Sequence, residues 1–90
     1  MFYVYVLSSL KINRIYIGYS TDLKKRYREH STGRVKSTKN FLPWKLVYYE
    51  AYLSKNDATQ REKELKLHAA KNKLVERIGK SLAEANGKIG

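Results

Sequence analysis

Cysteine is absent from this chain of 90 residues, which excludes disulfides, thiolate metal sites and a cysteine nucleophile together, leaves a cytosolic setting open, and makes packing the source of stability. No apolar run approaches the roughly 20 residues that span a bilayer, so no membrane segment is expected. Met1 runs directly into the strand-like segment Phe2 to Leu7, without a preceding basic stretch or a following small-residue cleavage site, which predicts no signal peptide and a soluble, cytoplasmic protein. Internal repeats and low-complexity segments are also missing. The length leaves room for one modest core and no second domain. Acidic residues are scarce as well: 8 Asp and Glu stand against 19 Lys and Arg, a formal charge of +11. Such a charge on so small a surface creates a positive field suited to polyanions, nucleic acid first among them, but carries no information about catalysis.

What is present is ordered. Phe2 to Leu7 is uniformly aromatic, β-branched or leucine, the composition of a strand buried on both faces. After a polar turn, Arg14 to Tyr19 alternates Ile15 and Ile17 against Tyr16 and Gly18, predicting a second strand paired antiparallel with the first, so that Tyr5 and Tyr16 project from neighbouring strands. Ser20, Thr21 and Asp22 offer capping oxygens for a helix from about Asp22 to His30. Leu23, Arg26, Tyr27 and His30 share one stripe of it, while Lys24, Lys25 and Arg28 face outward. Residues 31 to 43 read as an extended basic loop carrying Arg34, Lys36 and Lys39.

Trp44 to Leu53 returns to a strand, with Trp44, Leu46, Tyr48 and Tyr52 expected on one face and Val47, Tyr49 and Ala51 on the other. Ser54, Asn56 and Asp57 cap a second helix over about Asp57 to His68, in which Glu62 falls between Ala58 and Leu65 on the inward stripe. An inward carboxylate requires a partner or a metal. Leu74, Val75 and Ile78 continue at helical spacing, Gly79 reads as a stop, and the small, polar residues beyond predict a frayed tail.

Taken in order, Tyr3-Val4-Tyr5 and Tyr16-Ile17-Gly18, followed by Tyr19 through Arg26, resemble the signature of the GIY-YIG nucleases. The helix around Arg61-Glu62 resembles the one that supplies that family's metal-binding glutamate. The likeness runs from Phe2 to about Ile78 and is strongest to the small stand-alone bacterial members. Tyr3 replaces the first triad's glycine, a departure that branch commonly tolerates. Asn72 does not stand at a diagnostic spacing after Glu62 and is left outside the site.

The resemblance implies an α+β fold, a three-stranded antiparallel sheet flanked by helices in the order ββαβαα, with the domain over residues 1–79 and a flexible tail over 80–90. It also implies hydrolysis of DNA phosphodiester bonds with one divalent ion, Mg²⁺ or Mn²⁺, by a catalytic set of Tyr5, Tyr16, Arg26, His30 and Glu62. Glu62 is the metal ligand, a hard oxygen donor suited to an ion that keeps most of its waters. Arg26 has the planar fork of donors that fits a phosphate. Tyr16, within hydrogen-bonding reach of Tyr5, is the group expected to position or deprotonate water, the division between the two tyrosines staying open, and His30 to share the proton transfers or orient a phenol; a phenol with an ordinary pKa near 10 needs positive charge nearby for this. Candidate substrate contacts are Tyr19 and Ser20 after the second triad, Lys24 and Lys25 on the helix, and Arg34, Lys36 and Lys39 in the loop. Tyr19 and Trp44 are rings available for base stacking, with a core position the plainer reading for Trp44.

Taken singly, each residue has an ordinary reading. Tyr5 and Tyr16 are two of eight tyrosines; Arg26 is a surface charge, His30 a helix-end residue at the C-terminal dipole, and Glu62 a partner for Lys66 or Arg61. The rival functions are a module that binds DNA or structured RNA without turnover, and an RNA- or ribosome-associated protein. Branched and single-stranded DNA are both open as substrates, RNA is a further open partner, and nothing in the sequence specifies a dimer surface.

Overall fold

The computed structural model describes residues 1–87. Three strands, β1 (Phe2–Ser9), β2 (Ile15–Ser20) and β3 (Trp44–Tyr52), form one antiparallel sheet in the order β2-β1-β3. β1 is the central strand, and residues 4 to 9 are buried throughout. Helices cover both of its faces, which is why its sequence is apolar without alternation. β2 lies at the edge and alternates: Ile15 and Ile17 join one core layer, Tyr16 the other.

Helix α1 (Leu23–Ser31) lies on the face that carries Tyr5, Leu7, Tyr16 and Trp44, inserting Leu23 and Tyr27. Asp22 caps it, with Oδ1 accepting from Lys25 N at 3.1 Å. The opposite face packs Val4, Val6 and Ile17 against α2 (Lys55–Leu65), α3 (His68–Arg77) and α4 (Gly79–Ala85) through Ala58, Leu65, Leu74, Ile78 and Leu82. Ser54 caps α2 as expected, its Oγ accepting from Asp57 N.

Three expectations are corrected. β3 does not keep one pattern of faces: Val6 pairs with Tyr48 and Leu7 with Leu46, so Val47 is an extra residue in a bulge. The bulge turns Trp44 and Leu46 toward α1, while Tyr48 and Tyr52 stay toward α2, because one added residue reverses a two-residue period. The expected helix to His68 ends at Leu65, and α3 starts afresh at His68. The predicted flexible tail is helical to Ala85, with Leu82 against the core and α4 packed on β3; one leucine among small residues carries no periodic signal, and tertiary packing holds the helix. Residues 88–90 of that expected tail lie outside the described residues.

Candidate functional site

Tyr5 stands at the middle of the central strand and is 1% exposed. Its ring crosses toward β2 over Gly18, its register partner. The Tyr5 hydroxyl oxygen lies 2.7 Å from His30 Nε2, and His30 Nδ1 lies 2.8 Å from Thr38 Oγ1. Both His30 and Thr38 are fully buried. Tyr16 is half-buried beside them, its ring centroid 6.3 Å from that of Tyr5, 5.1 Å from His30 and 6.4 Å from Trp44. Arg26, one turn before His30 on α1, is partly exposed and bonds Glu29 Oε1 through Nη1 at 3.1 Å. Thus Tyr5, Tyr16, Arg26 and His30 meet on the α1 face of the sheet.

Burial pulls the His30 pKa down to about 4, with the Arg26 charge acting in the same direction and Glu29 partly opposing. His30 is therefore a neutral imidazole near pH 7 and contributes no charge to the helix terminus. Burial also pushes Tyr5 up to about 12, against Arg26, whose guanidinium favours the phenolate, and with smaller contributions from Tyr16 and Glu62. Tyr5 is a protonated phenol tied to a neutral base.

Glu62 comes from α2, on the other side of the sheet, yet its charge reaches Tyr5. Ala58 and Leu65 are fully buried as expected. Glu62 between them is not: its side chain is 23% exposed and pairs with Lys66 Nζ at 3.2 Å. Of the two readings open for an inward carboxylate, a partner or a metal, the structure shows the partner, a half-buried i,i+4 ion pair with Lys66. Among the described residues no three His, Cys, Asp or Glu side chains cluster as a metal cage. One accessible carboxylate with an exposed, displaceable lysine partner does fit a largely hydrated Mg²⁺, which needs only one or two protein carboxylates.

The candidate substrate contacts separate into two groups. Lys24 and Lys25 are exposed on α1, and Arg34, Lys36 and Lys39 are exposed on the segment that follows it. That segment is anchored by Val35 and Thr38, both buried, rather than extended freely, and closes with a 3₁₀ turn at Lys39–Phe41. Tyr19 and Ser20 fit the expectation less well. Tyr19 stacks on Phe2 in the opposite core layer, with its hydroxyl buried and unpartnered among the described residues. The Ser20 hydroxyl is used locally, accepting from Asp22 N and donating to Asp22 O. Trp44 is core, its Nε1 donating to the Thr38 carbonyl at 2.7 Å. Asn72 is exposed on α3.

Two features escaped the sequence. Thr38 is one of several hydroxyl residues in a basic stretch, and no local pattern marks it as the partner of His30. Glu50 carries no signal in the sequence of β3, yet it accepts from Tyr48 Oη at 2.6 Å, from Tyr52 Oη, and from Arg61 Nε and Nη2 at 2.9 and 3.1 Å. Burial alone would raise its carboxyl pKa, but these donors hold it below the ordinary value. The cluster fastens α2 to β3 next to Glu62.

A family model described as the GIY-YIG catalytic domain matches residues 1–83. A UPF0213 protein of Staphylococcus haemolyticus is 40% identical over 73 residues, covering 80% of this chain and 88% of its own. A UPF0213 protein of Natronomonas pharaonis is 42% identical over 76 residues, covering 81% and 88%. The solution NMR structure of a UPF0213 protein from Bacillus halodurans is 36% identical, with a TM-score of 0.54 and 84% of each chain covered. It shares the α+β arrangement of a three-stranded antiparallel sheet and flanking helices. The relatives' names state no activity; the domain match supports a nuclease-type function acting on nucleic acid. With the signature triads on β1 and β2 and the match extending over nearly the whole chain, the protein belongs to the GIY-YIG catalytic domain family.

Proposed function

We propose that this protein is a divalent-metal-dependent endonuclease that hydrolyses DNA phosphodiester bonds, one strand at each visit. The observation that carries the reading is the convergence of a neutral buried His30, the phenol of Tyr5, the accessible phenol of Tyr16 and the guanidinium of Arg26 on one face of the sheet. Arg26 grips a nonbridging phosphate oxygen with N–H groups not spent on Glu29. Tyr16 orients the attacking water. The proton shed by that water passes through the phenols to His30 Nε2, Tyr5 taking up a proton as it gives its own to the imidazole, so that no free phenolate forms. Glu62 holds the cation, which when bound supplies positive charge to the phosphate and to the leaving oxygen. Exposed Lys24, Lys25, Arg34, Lys36 and Lys39 contact the flanking phosphates, giving affinity without sequence information. A cytoplasmic location belongs to the same reading, as the place where such a polycation meets nucleic acid.

A second reading, a binding module without turnover, is favoured by two observations: the Glu62–Lys66 pair and the unfavourable phenolate of Tyr5. Single-turnover cleavage of single-stranded, duplex and branched DNA and of RNA, with Mg²⁺, Mn²⁺ or chelator, separates the two. Glu62→Gln is expected to lower metal-dependent cleavage by roughly a hundredfold or more while fold and binding persist. Cleavage at the parent rate by this variant would remove the metal site; no cleavage of any substrate by the parent would leave the binding module.

A further inference from the structure

We propose that Thr38 is a positioning residue that fixes the tautomer of His30 and thereby aims the Tyr5 proton at His30 Nε2. The inference rests on the reading of Tyr5 and His30 as active-site groups. A neutral imidazole has one N–H and one lone pair. Its two neighbours here, at 2.7 and 2.8 Å, are both hydroxyls, each able to donate or accept. The ring alone therefore leaves the chain of bonds free to run either way.

The two ends of the chain remove that freedom. At one end the positive guanidinium of Arg26, one turn before His30 on α1, bears on the Tyr5 phenol. The hydroxyl turns its oxygen toward that charge and its proton away from it, to His30 Nε2 at 2.7 Å. At the other end the Thr38 hydroxyl faces the Val35 carbonyl at 3.4 Å, which accepts only. The Thr38 proton goes to that carbonyl, leaving its lone pairs for His30 Nδ1–H. Both ends select one direction: Tyr5 O–H to Nε2, Nδ1–H to Thr38, Thr38 O–H to Val35.

Thr38 is well placed to hold that direction. It is fully buried, its backbone N–H donates to Val35 O at 3.1 Å, and its carbonyl accepts from Trp44 Nε1 and from Phe41 N. The oxygen that receives Nδ1–H is thus fixed by the loop turn below it and the β3 tryptophan beside it. Without it, a buried N–H at Nδ1 has no acceptor, and the ring proton moves to Nε2, where the Tyr5 oxygen can take it. His30 then presents a donor to Tyr5 and has no lone pair with which to receive its proton.

The test is ¹⁵N NMR of the imidazole nitrogens near neutral pH, with His68→Gln used to assign His30, alongside single-turnover cleavage. The parent protein and Thr38→Ser are expected to show protonated Nδ1 and bare Nε2. Thr38→Val is expected to move the proton to Nε2 and to slow cleavage about tenfold or more with nucleic-acid affinity unchanged, since only a proton path is lost. Thr38→Ser keeps the rate. A parent His30 protonated at Nε2 overturns the proposal, as does a Thr38→Val protein that keeps protonated Nδ1 and the parent rate. Should the valine variant fail to fold, the parent and serine spectra decide it. Should the parent protein cut nothing, the nuclease reading falls alone, and the tautomers still decide the role of Thr38.

Discussion

Gly18 leaves the space that the Tyr5 ring occupies: a Cβ placed on Gly18 would lie 2.4 Å from both Cζ and Oη of Tyr5. The two residues are register partners on β1 and β2. The glycine of the second triad is therefore required by a side chain of the first. Its backbone needs no left-handed conformation, since among the described residues only Gly33 and Gly87 have positive φ.

Gly18→Ala should displace a ring that is 1% exposed and has nowhere to go, at a cost of about 1–3 kcal/mol, and should abolish the Tyr5–His30 bond. Tyr5→Leu in the same chain should recover part of that stability without activity, and chemical denaturation of the single and double variants measures the coupling. Strictly additive losses would show that the ring is not what the alanine strikes.

Tyr5→Phe and Tyr16→Phe should separate. Tyr5→Phe strips the partner from a buried imidazole nitrogen and should cost about 1–2 kcal/mol of stability in addition to slowing cleavage. Tyr16→Phe, at a half-buried position, should leave stability within about 0.5 kcal/mol of the parent and give the larger fall in single-turnover rate. Parent-level cleavage by both would leave them as ordinary strand tyrosines.

His30 should make folding sensitive to mild acid. Its pKa is lowered from an ordinary 6.5 to about 4, so below pH 6.5 the unfolded chain takes up a proton that the folded chain refuses. The contribution is full above about 6.5 and is lost progressively as pH falls to about 4, at most on the order of 3 kcal/mol. Glu50, with a lowered carboxyl pKa, acts below its ordinary value of 4.5 and leaves the upper part of that window clear. Urea unfolding at pH 7 and pH 5 should show the loss in the parent and little of it in His30→Gln. Equal slopes in the two proteins would assign the effect to other groups.

Glu50→Gln should loosen α2. The amide keeps one accepting oxygen, but its NH2 can only donate and faces the donors that now bond the second carboxylate oxygen, and the charge that Arg61 pairs with is gone, so about 1–2 kcal/mol of stability should be lost, moderated by partial exposure of Arg61. Because Arg61 precedes Glu62 on the same helix, the Mg²⁺ concentration for half-maximal cleavage should rise as well. An unchanged metal requirement in a destabilised protein would confine the cluster to a structural role.

Much of this was legible in the chain. The run Phe2 to Leu7 announced a doubly covered central strand, Ile15 and Ile17 an alternating edge strand, Asp22 and Ser54 the helix starts; each is a local pattern with a local cause. The triads and the stripe of Arg26 and His30 likewise marked four side chains that do meet. Packing decided the remainder. The bulge at Val47 turned Trp44 toward the site, because a ladder's register depends on its partner strand. Leu82 held a helix that its own sequence does not favour. Glu50 gathered donors from β3 and α2. Thr38 became the partner of His30 because the loop folds back under α1, and a hydrogen bond between residues on separate segments leaves no periodic trace in sequence.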